Sequence, residues 1–290
     1  MSMGFAHRPR RPVQAGLRRF SRHRFAVVGL LVLLAMTVAA LFAPWISPFD
    51  PDRIDVAQRY ILPLSADHIL GTDDLGRDVL SRLLSASRVS LLIGVSAMLM
   101  TLIVGFLVGA FAGYCGGWID AILMRLTDML LCFPNIFLLL FVAVFVPPSR
   151  VSLAALIGLT SWMEIARISH GQIRSLKQRD FLEAARLAGA SNVRIIMRQI
   201  LPNSMTPMLV AAALNTANAI LLESYVSFLG YGIQPPQASW GNMLTYAQSE
   251  FAIDPWLAVF PGAAIALAVT SLNFIGDGLR DMLDVRLKSR

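Results

Sequence analysis

The sequence predicts an all-α integral membrane fold of six transmembrane helices, and three observations lead there. Of its 290 residues, 56% are hydrophobic and only 15% charged, with a mean hydropathy of +0.62. That balance suits a bilayer and not a water-soluble domain of this length. Charge-free stretches recur near the roughly 20 residues that cross a hydrocarbon core. Lys and Arg gather in alternate connecting segments, as the insertion rule for cytoplasmic loops requires.

Residues 1–24 form a basic segment with seven arginines between Arg8 and Arg24. The first span follows, from Phe25 to Ile46; it is longer than a signal-peptide core and has no small-residue cleavage site after it, so it reads as a retained anchor. Residues 47–88 are too long for a turn and too polar to cross. Within them, Leu75 to Leu84 alternates apolar residues with Arg77, Asp78 and Arg82, which predicts an interfacial helix capped by Asp73 or Asp74. Residues 89–279 supply five further spans: Leu91–Ala112, Met129–Val146 with a kink at Pro134, Val151–Ile168, Met205–Leu222 and Pro255–Ile275. The fourth of the six is the weakest, because Glu164 and Arg167 lie at its far end. Asp254 and Pro255 suit the cap and first position of the last helix. Residues 280–290 are a short basic tail.

With both ends inside, 19 of the 25 Lys and Arg residues face the cytoplasm, and the segment from Tyr231 to Asp254 has none. The net charge of +7 is thereby a matter of topology, and no nucleic-acid partner is implied. Cys115 and Cys132 have no metal-ligand spacing around them, and His7, His23, His68 and His170 form no H-E-x-x-H pair; no metal or other cofactor is expected on this chain. The phosphate loop G-x-x-x-x-G-K-[ST] is absent. Any nucleotide that drives the protein is therefore expected on another polypeptide.

Residues 170–204 form a polar loop between two spans. Asp180 and, three residues on, Glu183 fit a capping-box variant; Ala184, Ala185, Leu187 and Ala188 favour helix, and Gly189 suits the position just past a helix end. Ser191 or Asn192 can cap a second short helix with Val193, Ile195, Ile196 and Ile200 on an apolar face, and Pro202, after Leu201, is expected to stop it. The residues alone permit two readings: a hairpin gripped by a partner, or an interfacial loop with none.

Inside the fifth span, Asn215, Asn218, Glu223, Ser224 and Ser227 either line a route through the membrane or hydrogen-bond neighbouring helices. Glu223 could alternatively lie near the outer interface, where hydration makes its charge cheap. Asp128, three residues beyond Arg125, reads as structural. Gly105, Gly109 and Gly113 form a small-residue stripe, read as packing within this chain in preference to a subunit interface.

The pattern E-A-A-x3-G followed by L-P at 201–202 resembles the coupling loop of permease subunits in ABC importers. Around it, the chain resembles the C-type permease of dipeptide, oligopeptide and nickel importers along nearly its whole length: GTDDLGRDVLSR (71–82), GYCGGWID (113–120), RLTDMLLCFP (125–134), FLEAARLAGAS (181–191), LLESYVSFLG (221–230), SWGNML (239–244) and GDGLRDMLD (276–284). Gln199, Met163-Glu164, Val285 and Cys115 depart from the usual pattern.

The resemblance implies a type I ABC importer permease fold with a cytoplasmic coupling helix, in the bacterial inner membrane. Asp180, Glu183, Ala184, Ala185, Gly189, Leu201 and Pro202 would couple to ATPase subunits, while Asp73, Gly76, Arg77, Asp78 and Trp240 would form an outer gate or receive a solute-binding protein. The implied partners are a second, related permease forming a heterodimer, two ATPase subunits holding ATP and Mg, an extracytoplasmic binding protein and membrane lipid. Di- or oligopeptides are the implied cargo, with nickel complexes, glutathione and other peptide-like solutes as alternatives. A secondary transporter, an intramembrane enzyme or a passive scaffold are competing classes; no internal repeat or catalytic constellation in the sequence supports the first two.

Overall fold

The computed structural model describes residues 20–65 and 67–283; the basic residues up to 19 and the tail from 284, Val285 included, lie outside them. Among the described residues the chain is helical, without a strand beyond two isolated bridges. Its helices are α1 (Arg24–Leu41), α2 (Ala43–Ile46), α3 (Val79–Cys115), α4 (Gly117–Leu131), α5 (Asn135–Ala143), α6 (Arg150–Lys177), α7 (Asp180–Leu187), α8 (Asn192–Ile195), α9 (Leu201–Phe228), α10 (Trp240–Glu250) and α11 (Trp256–Leu283). Five are long and apolar enough to cross a membrane, and α4 with α5 makes a sixth if that bent pair counts as one span.

α3 shows why such a sequence prefers a bilayer. Leu92, Leu99, Ile103, Leu107 and Phe111 are exposed along one stripe, whereas Ile93, Ala97, Thr101, Gly105, Gly109 and Gly113 are buried along another. Large groups face outward and mostly small ones inward, as expected where lipid is the solvent and close helix approach supplies the packing. The buried stripe meets α6: a Cβ at Gly105 would lie 2.6 Å from the Trp162 carbonyl oxygen, and one at Gly109 only 2.2 Å from that of Ala166. The glycine stripe therefore serves packing within this chain. α9 packs on α3 and α11, and α1 lies against α11, where Ala26 and Gly29 meet Gly278 and Ser271.

Several expected boundaries move. The interfacial helix merges with the second span, because α3 runs unbroken for 37 residues, about 55 Å at 1.5 Å per residue. Its cap is Asp78, whose carboxylate accepts from the Ser81 N–H at 2.8 Å. Asp73 is committed elsewhere, accepting from Leu75 and Arg77 N–H at 2.9 Å. Pro134 does more than kink its span: α4 and α5 meet at 85°, since proline supplies no N–H to continue the helix. Pro202 does not end a helix. It stands in the first turn of α9, and a π-helical turn over Ile196–Ile200 leads straight into it. Asp128 pairs with Arg167 of α6, across the bundle from its own helix. Residues 231–254 contain a helix of their own, α10, opened by a capping box between Ser239 and Asn242.

Candidate functional site

The loop over 170–204 is a fixed corner. α7 begins at Asp180, with Asp180 and Glu183 in its first turn, where carboxylates offset the unpaired N–H groups of a helix start. Asp180 is already helical, so the expected capping box gives way to this charge–dipole arrangement. At the other end the Ala190 N–H donates to the Ala185 carbonyl at 3.0 Å, the six-to-one bond of a Schellman closure. That closure needs a left-handed residue, and Gly189 supplies it at φ +78°. Ser191 Oγ accepts from Arg194 N–H at 3.4 Å and opens α8.

One face of this corner is anchored. Leu182, 1% exposed, packs with Ile195, Ile200 and the Ile173 and Leu176 of α6, bordered by Phe106, Ala110 and Tyr114 of α3. Lys177 Nζ donates to the Tyr114 carbonyl at 2.6 Å. The opposite face is open: Phe181 is 44% and Leu187 86% exposed, with Glu183 and Ala184 also exposed and Ala185 half-buried between the two. At the far end of the loop Leu201 is half-buried and Pro202 exposed.

A groove of about 400 Å³ lies at the α4–α5 break, between α6 and α9. Asn215 and Asn218 line it with Leu222 and Tyr225, one face of α9 at offsets of three, seven and ten residues from Asn215. Glu223 is five residues past Asn218, about 140° round the helix, and the structure places it elsewhere. The five polar residues of α9 singled out from the sequence thus divide between two faces. Glu223 is fully buried; Ser90 Oγ donates to it at 2.9 Å and Ser227 Oγ at 2.8 Å, with Ser224 Oγ at 3.5 Å. Ser90 Oγ in turn accepts from the Trp240 N–H at 3.2 Å, and Ser227 Oγ from the Ile233 N–H at 3.2 Å. This network ties α3 and α9 to the segment that opens α10, and it leaves the Glu223 carboxylate shielded from water within this chain.

Trp240 is also fully buried, its indole N–H donating to Ser87 Oγ at 3.1 Å. Asp73, Gly76, Arg77 and Asp78 are buried too. Arg77 Nε donates to Asp73 at 2.7 Å, Arg82 lies 3.6 Å from the same carboxylate, and His68 joins Asp78 to Gln58 at 2.8 Å each. Gly76, at φ +74°, faces the Asp55 carbonyl. These residues hold residues 47–78 on the end of α3. Tyr60 fixes the same segment to α10, its hydroxyl donating to Glu250 at 2.8 Å. That bond pushes the Tyr60 phenol up from its ordinary value. Burial, reinforced by the Asp73 carboxylate and partly offset by Arg77, raises the Asp74 carboxyl.

Sequence reasoning missed Asn135, Ser161 and Tyr225 as groove residues and Ser90 as a partner of Glu223. Only the break at Pro134, which begins a new helix at Asn135, was a usable signal. Ser90 lies 133 residues from Glu223 in the chain, beyond any local pattern.

Five helices long and apolar enough to cross a bilayer, or six if α4 and α5 form one span, with an anchored corner at one end and a groove beside the broken helix, make this a multi-pass membrane protein. Residues 105–289 match the family described as binding-protein-dependent transport system inner membrane component, and residues 12–63 match the N-terminal TM domain of oligopeptide transport permease C. The chain belongs to this family of binding-protein-dependent inner membrane permeases. It is 41% identical over 277 residues to a protein of Brucella suis biovar 1 named provisionally as a peptide permease, covering 95% of this chain and 91% of that one. It is 37% identical over 283 residues to the di/tripeptide transport system permease protein DppC of Pseudomonas aeruginosa, covering 96% and 93%. A Brucella abortus protein named provisionally as a peptide transport system permease is 41% identical over 280 residues, covering 96% and 93%.

Proposed function

We propose that this chain is one of two permease subunits in an ATP-driven importer of di- or oligopeptides. The names of its relatives support the cargo class. In this reading α4 and α5 form one broken span, making six, and both basic ends lie in the cytoplasm. The observation that bears the mechanism is the open face of α7: apolar Phe181 and Leu187 and acidic Glu183 project from a corner whose other face is locked to α3 and α6. A partner that moves α7 moves the bundle with it.

ATP and Mg are held by two separate ATPase subunits, whose closure draws the Glu183–Gly189 helix with it. Because α7 packs on α6 and leads through the π-helical turn and Pro202 into α9, the displacement reaches both walls of the groove and alternates its access. A related permease supplies the facing half of the pore, and an extracytoplasmic binding protein delivers cargo to the end formed by residues 47–78 and α10.

The test compares uptake of labelled di- and oligopeptides by cells expressing the whole complex, with Glu183→Lys and Gly189→Asp at matched membrane abundance. The expected result is loss of uptake together with loss of ATPase co-purification. Normal uptake in both variants would remove the coupling role.

A further inference from the structure

We propose that Glu164, with Asn135 and Ser161 beside it, receives the α-ammonium group of the transported peptide in the groove between α5, α6 and α9. This rests on the importer reading and adds to it the residue that meets the cargo. Glu164 lies 14 residues into α6 and one turn before Arg167, at the far end of the apolar part of that helix. It is exposed on this chain, and among the described residues no cation lies within ion-pair reach of it. The nearest arginine along the helix, Arg167, is taken by Asp128. A carboxylate without an ion-pair partner persists in a membrane helix where it faces a polar cavity or water.

The rest of the lining carries no opposing charge. Among the described lining residues Glu164 alone is charged; Thr160, Ser161, Asn135, Asn215, Asn218 and Tyr225 are neutral and polar, and the other six are apolar. Ser161 precedes Glu164 by three residues and so shares its face of α6, and its Oγ accepts from Asn135 Nδ2 at 3.0 Å. The other half of that amide, Asn135 Oδ1, is buried without a hydrogen-bond partner. Buried acceptors left unpaired are rare and call for a ligand or water. A carboxylate and a hydroxyl accept from an ammonium group, and a turn of the Asn135 side chain that uncovers Oδ1 supplies the third acceptor for its three donors. The volume of about 400 Å³ falls within the range of small-molecule sites.

The test uses the complete transporter in proteoliposomes, with Cys115→Ser, Cys132→Ser and Asn218→Cys in this chain. Modification of the introduced thiol is timed with a positively and a negatively charged methanethiosulfonate reagent of similar size. Taken relative to the same two reagents on a small thiol in solution, the cationic reagent is expected to be favoured at least about tenfold further, as a cleft of one charge sign focuses counter-ions. Glu164→Gln brings the ratio back to that of the free thiol, and Glu164→Asp keeps it. In the same vesicles Glu164→Gln lowers uptake of a dipeptide with a free amino terminus, while ATP hydrolysis stimulated by the loaded binding protein persists.

A reagent ratio indifferent to Glu164→Gln, with wild-type uptake intact, overturns the assignment and leaves the importer reading standing. A thiol that reacts in the isolated chain but not in the assembly also overturns it, because the groove is then covered by the second permease. Absence of peptide uptake and of ATPase association in the wild type removes both.

Discussion

Replacing Glu223 by alanine is the sharpest probe of the network that closes one end of the bundle. In Glu223→Ala the hydroxyls of Ser90 and Ser227 lose the carboxylate they donate to, and both are buried. Each stranded donor costs about 1–3 kcal/mol, so the pair costs about 2–6 kcal/mol before any cavity is counted. Even at about 2 kcal/mol, opening of the network becomes roughly thirtyfold more frequent. The opening has a definite location, because the same two hydroxyls accept from the Trp240 and Ile233 N–H groups. Amide hydrogen exchange of the chain in detergent micelles should therefore accelerate over residues 229–250 and leave α6 unchanged. Glu223→Gln keeps the shape and one acceptor oxygen, and should recover about half of the protection. Exchange in Glu223→Ala within about 0.5 kcal/mol of wild type, the ordinary spread for inconsequential substitutions, would refute the reasoning. If Glu223→Gln keeps its protection but loses uptake, the carboxylate acts on cargo and the network is secondary.

Gly109→Leu should force α3 and α6 apart, because its Cβ would lie 2.2 Å from the Ala166 carbonyl; a loss of about 1–3 kcal/mol or more should appear in mixed-micelle unfolding, with Gly113→Ala milder since its nearest contact is 3.0 Å. Equal effects would contradict this packing. Gly189→Val places a branched residue at φ +78° at a cost of about 1–2 kcal/mol, and should weaken ATPase co-purification while the bundle unfolds as wild type does; unchanged co-purification counts against the corner. The Asp74 carboxyl is raised in the folded protein, chiefly by burial and then by Asp73, so the folded state holds that proton more tightly than the unfolded chain. Its contribution to stability then grows as pH falls through the folded-state range, and wears away as pH rises. Resistance of residues 47–78 to proteolysis should gain more from mild acid in wild type than in Asp74→Asn, and equal gains would reject the assignment.

The helical class and most spans were legible because hydropathy is a local property, and five stretches of the right length announce themselves without tertiary information. Gly189 was legible for a similar reason: a left-handed helix end is a demand of the backbone itself. The sequence reading placed Asp73 or Asp74 at a helix start because both precede an amphipathic run. Which acid actually caps depends on where α3 begins, and that is settled by the Asp73–Arg77 pair and the packing of residues 47–78. Pro134 and Pro202 show the same limit from another side. Each removes one N–H, yet Pro134 stands at the N-cap of α5 beside an 85° break, whereas Pro202 sits in a continuous helical run and Pro207 inside α9 leaves that helix unbroken, so a proline alone does not say where a span breaks. The division of the α9 polar residues between groove and network could have been read from their spacing, but not which face was which.

α3 is a rigid rod nearly twice as long as a hydrocarbon core is thick. Its upper turns hold residues 47–78, through Ser81 Oγ accepting from the Phe49 N–H and Arg82 beside Asp73; its last turns border the α7–α8 corner. A rod pivoting near its middle moves its ends in opposite directions. A tilt of about 10° over half of its roughly 55 Å displaces each tip by about 5 Å. In the importer reading, a push on the α7–α8 corner is delivered to residues 47–78 reversed in sense, along a helix with no break to absorb it.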